Sequence, residues 1–367
     1  MRAAILREVG KQLTVEDVEL DDPKVNEVLV RIEASGVCHS DLHRIHGDFP
    51  SMLPMVMGHE GSGVIEKVGP GVTGLQPGDH VVLSIGPYCN ACARCGAGEF
   101  SLCERIAPAR ASGGLFDGTS RMHRGKETIT HQSFVSSFAQ YSVVPATGAI
   151  PIRKDAPLDK AALVGCGVTT GVAAVFNDAQ VEPGSSVVVY GTGGVGLNAV
   201  QAAAISGAET VIAVDLRDRM LDLAREFGAT HTINASSGDP VEQVREITNG
   251  GADYSFEVIG IPKVALQALA SVRAGGSCYV LGVLPTGTVL EIPWWELMGR
   301  RQRLQFSGFG AARPRFDIPR IIDLYMAGKL KLDELVSHTF KLDEINTAFD
   351  LMERGESARS LVYPHRN

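Results

Sequence analysis

No basic excess is present in this sequence: 34 lysines and arginines stand against 42 aspartates and glutamates, for a formal net charge of −8. That balance excludes nonspecific nucleic-acid binding, which needs a basic surface, although it leaves room for a small basic pocket around a phosphate. Charged residues are 21% of the chain, an ordinary globular share that excludes bulk disorder. There is no internal repeat and no low-complexity tract. MRAAILREVG puts Arg7 and Glu8 where a signal peptide would have its apolar core, so no secretory segment is visible and a cytoplasmic location is expected. Long hydrophobic runs are also scarce. The one long uncharged stretch, Gly184 to Ala208, carries six glycines and a strand-turn-helix pattern, and reads as a buried βα unit rather than a membrane span. An even cysteine count is missing too. Seven cysteines in such a chain do not read as a disulfide framework; metal ligation or buried thiols do.

What is present fills more than one core. Apolar residues make up 44% of 367, and roughly 150 residues per domain gives two or so domains. Up to about residue 165 the texture is irregular and β-rich, with short alternating runs such as VLVRIEA and GVIEKVG between Gly, Pro and Asp clusters. From about residue 185 the pattern changes. SVVVYG, TVIAVD, HTIN, ADYSFEV and SCYVLGV read as strands separated by helical segments. That alternation predicts βαβ units and a parallel sheet. IPRIIDLYMAGKL and LDEINTAFDLMERG read as late helices and SLVYP as a last strand.

Gly191, Gly193 and Gly196 form G-x-G-x-x-G between a strand and a helix, with Gly194 and Val195 completing the turn. Such a turn brings backbone N–H groups and a helix N-terminus to a pyrophosphate. Asp215 ends the next strand, where a carboxylate accepts from the adenine ribose hydroxyls and repels a 2′-phosphate. NAD is therefore expected over NADP, with Arg217 and Arg219 nearby to blunt the preference.

Cys89, Cys92, Cys95 and Cys103 lie within 15 residues. Four thiolates close a tetrahedral shell around zinc and leave no open position, which makes such a site structural; an iron–sulfur cluster is the main competitor. Cys38, His59 and Cys166 are far apart in sequence. If they converge they leave a fourth zinc position open. Cys278, in an apolar strand, is expected to be an unliganded core thiol.

Taken in order, GVCHSDLH, GHEGSGVIEKVGPGV, the cysteine loop, GCGVTTG, GTGGVG and GESARS resemble the zinc-containing medium-chain alcohol dehydrogenases over nearly the whole chain. The resemblance implies an α/β protein: a GroES-like β-rich catalytic domain (1–167, returning at 307–367) around a Rossmann doubly wound parallel sheet (168–306), with the active site in the cleft. It implies Cys38, His59 and Cys166 as catalytic-zinc ligands, Glu60 as a carboxylate close to that metal, and Asp41 as the acid orienting the ligand histidine. Ser40 and His43 match a proton relay, Thr170 a residue beside the nicotinamide, and Arg359 a cofactor phosphate contact. His39 stands where several relatives carry an Arg for the pyrophosphate. Ile85 replaces a common pocket aromatic, and Trp294 and Trp295 would add bulk.

The expected activity is hydride transfer between a primary or secondary alcohol and NAD, with two zinc ions per chain. The alternative is a thiol-adduct (glutathione or mycothiol) formaldehyde dehydrogenase of the same family; a catalytically dead zinc-binding structural protein is the remote one. The segment from Glu104 to His131 resembles an insertion of dimeric relatives, so a homodimer is expected ahead of a homotetramer. No nucleic-acid or membrane partner is expected.

Overall fold

The computed structural model describes residues 1–284, 286–292 and 294–366. The chain packs as two compact units: Met1–Gly167 with Arg313–Gly328 and Leu332–Asn367, and Val168–Ala312 with Lys329–Lys331.

The second unit is a six-stranded parallel sheet. Its strands run His231–Asn234, Thr210–Asp215, Ser186–Tyr190, Ala252–Glu257, Val272–Val280 and Arg303–Phe306 across the sheet. All but Arg303–Phe306 were legible in the sequence. Arg303–Phe306 was not, because it is an edge strand of only four residues, RLQF, and is mostly exposed. The Gly184–Ala208 stretch is a strand, a tight turn and the buried helix Gly194–Ile205. No single helix among the described residues is long and apolar enough to cross a membrane. The return from this unit falls later than residue 307. Ser307 N–H still bonds Val280 O at 2.9 Å, which extends the sheet edge, and Gln201 exchanges hydrogen bonds with the backbone of Lys331. Cys278 is fully buried in the Val272–Val280 strand, where burial pushes its thiol up to about 12.

The first unit holds two sheets of mixed, mainly antiparallel pairing. Its long central strand, Glu27–Val37, pairs with Glu60–Val68 on one side and with Arg359–Tyr363 on the other. The register sets Gly36 opposite both Glu60 and Leu361, and Val37 opposite Ser360. Three distant parts of the chain, just before Cys38, at Glu60 and at Arg359, are thus brought side by side.

A buried ion network braces the other sheet. Arg121, with no exposed surface, donates to Glu27 through Nε at 2.8 Å and to Asp117 through Nη2 at 2.7 Å. Its backbone N–H donates to His131 Nε2 at 3.2 Å. Burial, then the Arg121 charge, push His131 down to about 3. A histidine depressed in the fold binds its proton more readily unfolded. Its stabilisation is therefore complete above the unfolded value of about 6.5 and is lost as pH falls toward 3. His131→Gln is expected to flatten the stability–pH curve between pH 6.5 and 4.5, where this one group contributes up to about 1.4 kcal/mol per pH unit. Urea titrations of both proteins check it; parallel curves would remove His131 as the cause.

Candidate active site and metal centres

Cys38 ends the Glu27–Val37 strand and caps the helix His39–His46, whose apolar side (Leu42, Ile45) is buried with Asp41. His59 and Glu60 begin the neighbouring strand, and Cys166 follows the short helical turns Leu158–Ala161 and Ala162–Gly165. The ligand atoms of Cys38, His59, Glu60 and Cys166 lie within 4.8 Å of one another, and all four residues are buried.

Asp41 organises the group. Oδ1 accepts from His59 Nδ1 at 2.7 Å, and Oδ2 accepts from the Cys38 backbone N–H at 3.1 Å. With Nδ1 toward Asp41, Nε2 is the ring nitrogen left for a metal; it is buried and has no hydrogen-bond partner. Burial disfavours the imidazolium, but Asp41 and then Cys38 outweigh it and raise His59 to about 10. The Cys38 thiol is held well below its usual range, first by its hydrogen bond with Cys166 and then, against burial, by His59 and the charge of Arg359. A site that stabilises a positive charge at Nε2 and negative charge at sulfur suits a divalent cation between them.

Glu60 belongs to the same group, and both of its oxygens are engaged. Oε1 accepts from Gly167 N–H at 2.9 Å, and Oε2 is paired with Arg359 Nη2. Arg359 is only 5% exposed. Its guanidinium neutralises the carboxylate of the metal group, because its strand lies directly against the Cys38 strand. A Cβ at Gly36 would collide with Glu60 Oε2, which explains the glycine there.

Gln132 was not foreseen. Its Nε2 donates to Asp41 Oδ1 at 2.7 Å, and its Oε1 accepts from Gly58 N–H at 2.6 Å, so it fixes both Asp41 and the residue before His59. Nothing in the spacing signals it, since the partners are 74 and 91 residues away. Asp48 was missed as well; it bonds His43 Nδ1 at 2.7 Å. Ser40 and His43 sit three residues apart on the same helix, both half-buried, while His39 is exposed.

The second thiol group is built by Cys89, Cys92, Cys95 and Cys103, whose sulfurs are likewise within 4.8 Å of one another. Cys89 and Cys95 Sγ are 4.0 Å apart. Zinc–sulfur bonds of about 2.3 Å in a tetrahedron set sulfurs roughly 3.8 Å apart, so the spacing fits the ion. Backbone N–H groups, that of Cys95 first, lower Cys92 to about 6, whereas burial raises Cys95 to about 12. Cys95 and Cys103 also belong to a small core with Tyr88, Ile106, Leu115 and Phe134.

In the second unit Gly191 has φ +95°, and a Cβ on Gly196 would fall on the Gly191 carbonyl. Both observations match the tight turn and the close helix–strand approach of a dinucleotide loop. Gly193 caps helix Gly194–Ile205, and nothing lies within 4 Å of its ideal Cβ. Asp215 Oδ2 accepts from Thr192 N–H and Oγ1, at 2.9 and 2.8 Å, and Oδ1 accepts from Leu216 N–H at 2.8 Å. Thr170 lies half-buried in helix Gly167–Ala173. Trp294 and Trp295, expected to add bulk at a pocket, are 75% and 77% exposed on helix Trp294–Arg300. They lie past the last buried run of the sheet and pack in no core of their unit.

Residues 24–154 match the alcohol dehydrogenase GroES-like domain, and residues 194–326 match the zinc-binding dehydrogenase domain. The chain belongs to the zinc-containing medium-chain alcohol dehydrogenase family. It is 43% identical to the S-(hydroxymethyl)glutathione dehydrogenase of Paracoccus denitrificans, over 98% of this chain and 99% of that one. It is 42% identical to the class-3 alcohol dehydrogenase of Cereibacter sphaeroides over the same shares. Among solved structures, the benzyl alcohol dehydrogenase of Acinetobacter calcoaceticus superposes with a TM-score of 0.94 at 35% identity, covering 99% of this chain and 98% of that one. The protein is an oxidoreductase of the alcohol dehydrogenase type that uses NAD and zinc, with a GroES-like unit and a Rossmann unit.

Proposed function

We propose that this chain oxidises the S-hydroxymethyl adduct of a small thiol with NAD, at a zinc ion held by Cys38, His59 and Cys166. The observation that carries the metal assignment is the partnerless, buried Nε2 of His59 among two thiols. The adduct reading is supported by the Paracoccus relative, an S-(hydroxymethyl)glutathione dehydrogenase matched over 98% of this chain. Oxidation of a free aromatic alcohol is the second reading, favoured by the likeness to the benzyl alcohol dehydrogenase.

When bound, zinc lowers the pKa of a ligated hydroxyl and NAD accepts the hydride from its carbon. Asp41 fixes the tautomer of His59 so that Nε2 faces the metal. Arg359 and Gly167 N–H engage the two oxygens of Glu60 beside that position. Ser40 takes the hydroxyl proton, and His43, oriented by Asp48, passes it to solvent. Cys89, Cys92, Cys95 and Cys103 hold the second zinc. Gly191, Gly193, Gly194, Val195, Gly196 and Asp215 bind the dinucleotide, Thr170 stands by the nicotinamide, and His39 is a weak phosphate contact.

Initial rates of NAD reduction test the reading. Formaldehyde with glutathione is expected to be turned over at a higher kcat/KM than benzyl alcohol. Benzyl alcohol oxidation with no response to added thiol would favour the second reading. Asp215→Gly is expected to weaken NAD and shift the NAD-to-NADP ratio of kcat/KM by roughly tenfold or more, since both a charge-assisted acceptor and a repulsive charge are lost. An unchanged ratio would remove Asp215 from the cofactor site.

A homodimer is supported by the outer strand Arg303–Phe306, which has one unpaired edge among the described residues, with Phe306 60% exposed. An open edge with exposed apolar side chains invites a second copy of itself. Light scattering is expected to give twice the chain mass; a monomer or a tetramer would overturn this.

A further inference from the structure

The second unit buries an acid that faces no cation among the described residues. Glu257 is the last residue of the Ala252–Glu257 strand and has no exposed surface. In the first unit the buried acids Glu27, Glu60 and Asp317 pair with Arg121, Arg359 and Arg313, and Asp41 pairs with His59. Glu257 has main-chain donors instead. Its Oε1 accepts from the N–H groups of Ile259 and Gly260 at 2.8 and 2.7 Å, and its Oε2 is buried with no hydrogen-bond partner. Burial pushes this carboxyl up, against the N–H groups of Gly260 and Ile259. A buried oxygen left unpaired costs free energy and calls for an explanation in the bonds that the rest of the carboxyl makes.

Those bonds lie where this kind of sheet receives a ligand. The strand order reverses between Ser186–Tyr190 and Ala252–Glu257, which are parallel neighbours with Tyr190 beside Glu257. In open parallel sheets the crevice beyond the carboxyl ends of two such strands is the binding place. The Gly191 turn leaves one of these strands and the turn 258–261 leaves the other. The two turns touch. Val258 N–H donates to the Tyr190 carbonyl at 3.1 Å, and a Cβ on Gly191 would come within 2.6 Å of Ile259 Cγ1. The turn 281–283, after the next strand, is tied to the same residue: the Glu257 carbonyl accepts from Leu281 and Gly282 N–H at 2.7 and 3.0 Å. A Cβ on Gly282 would lie 2.6 Å from Glu257 Oε2, and one on Gly260 would strike the Val283 carbonyl. The main chain and the carboxyl of one residue thus clasp two turns together, leaving Ile259, Ile261 and Val283 exposed on them.

We propose that Glu257 is a positioning residue for the dinucleotide: through Oε1 it fixes the turn that packs on Gly191, and so sets cofactor affinity without touching the cofactor. The inference rests on reading Gly191–Gly196 as the dinucleotide turn. The role belongs to the acceptor and not to the charge, since both bonds come from main-chain N–H groups that any well-placed oxygen can satisfy.

Fluorescence titration with NADH tests it on the full chain. Glu257→Leu is expected to weaken NADH binding by about tenfold or more, because two N–H groups lose their acceptor. Glu257→Gln, whose amide oxygen can take over both bonds, should stay within about threefold of the wild type. Glu257→Asp keeps the charge but is too short to reach both groups, and should fall near the Leu variant. In steady-state assays with formaldehyde plus glutathione, or with benzyl alcohol, the loss is expected in KM for NAD, with kcat at saturating NAD little changed. Amide exchange on the wild type gives a readout that does not depend on any variant folding: residues 258–261 and 281–283 should slow on adding NADH. Wild-type affinity in the Leu and Asp variants, a Gln variant as weak as Leu, a loss confined to kcat, or exchange in both turns indifferent to NADH would each overturn the proposal. Gly193→Ala separates this from failure of the underlying reading. Its φ of −72° suits alanine and nothing lies within 4 Å of the added Cβ, so the protein should fold and lose NADH only if a phosphate sits there. NADH bound as tightly by Gly193→Ala as by the wild type would sink the reading of the glycine turn; weakened binding there beside unmoved Glu257 variants would sink the role of Glu257 alone.

Discussion

Replacing Cys166 with serine is expected to leave one zinc per chain instead of two and to lower kcat/KM by at least about a thousand-fold. Polarising a reacting oxygen by a metal supplies several kcal/mol of transition-state stabilisation, and each ~1.4 kcal/mol is tenfold in rate. The thiol it removes sits among the four buried residues whose ligand atoms lie within 4.8 Å of one another. Serine keeps the volume but not the soft, readily ionised sulfur that zinc prefers. Cys278→Ser serves as the control: it alters a fully buried cysteine of the Val272–Val280 strand that lies in neither thiol group, so zinc content should stay at two. Metal analysis beside initial rates decides the matter. Two zinc ions retained in the Cys166 variant would show that this thiol is not a ligand.

Cys103→Ser attacks the other group and should act on stability more than on chemistry. One zinc is again lost, and the melting temperature is expected to fall by about 10 °C, as several kcal/mol spread over a chain of this size would produce. The physical reason is the composition of the segment. Its own core consists of a few side chains, and two of those are Cys95 and Cys103 themselves. Without the metal, residues 89–112 should open locally and become the first site of proteolytic cleavage. Calorimetry and limited proteolysis check both parts; a variant as stable and as resistant as the wild type would show that the loop holds itself together. A brown protein with iron bound would replace zinc by an iron–sulfur cluster.

The parallel sheet was legible because buried strands such as Val187–Val189 are continuous apolar runs, and each is followed by a helix of recognisable period. The cysteine loop was legible from spacing alone. Cys38, His59 and Cys166 were individually unremarkable thiols and an imidazole; only the ordered motifs around them pointed to a shared metal. The pairing of Arg359 with Glu60 was not legible because sequence order says nothing of which strand lies beside which. Once Arg359–Tyr363 is paired with Ser35–Val37, its charge falls on Glu60. Gln132 and Asp48 were invisible for the same reason: single polar residues whose meaning depends on contacts made in the fold.

The pairing of Glu60 with Arg359 also orders events in time. The two residues are separated by 299 positions. At synthesis rates of about 5–20 residues per second, the ribosome delivers the cation roughly 15–60 s after the carboxylate. Throughout that interval Cys38, His59 and Glu60 exist without the strand that pairs with Ser35–Val37 and without the cation that neutralises the carboxylate. Insertion of the last strand then supplies that charge, while Glu60 stays within 4.8 Å of the sulfur and nitrogen donors. The charge balance of the metal group is thereby completed only when nearly the whole polypeptide has been made.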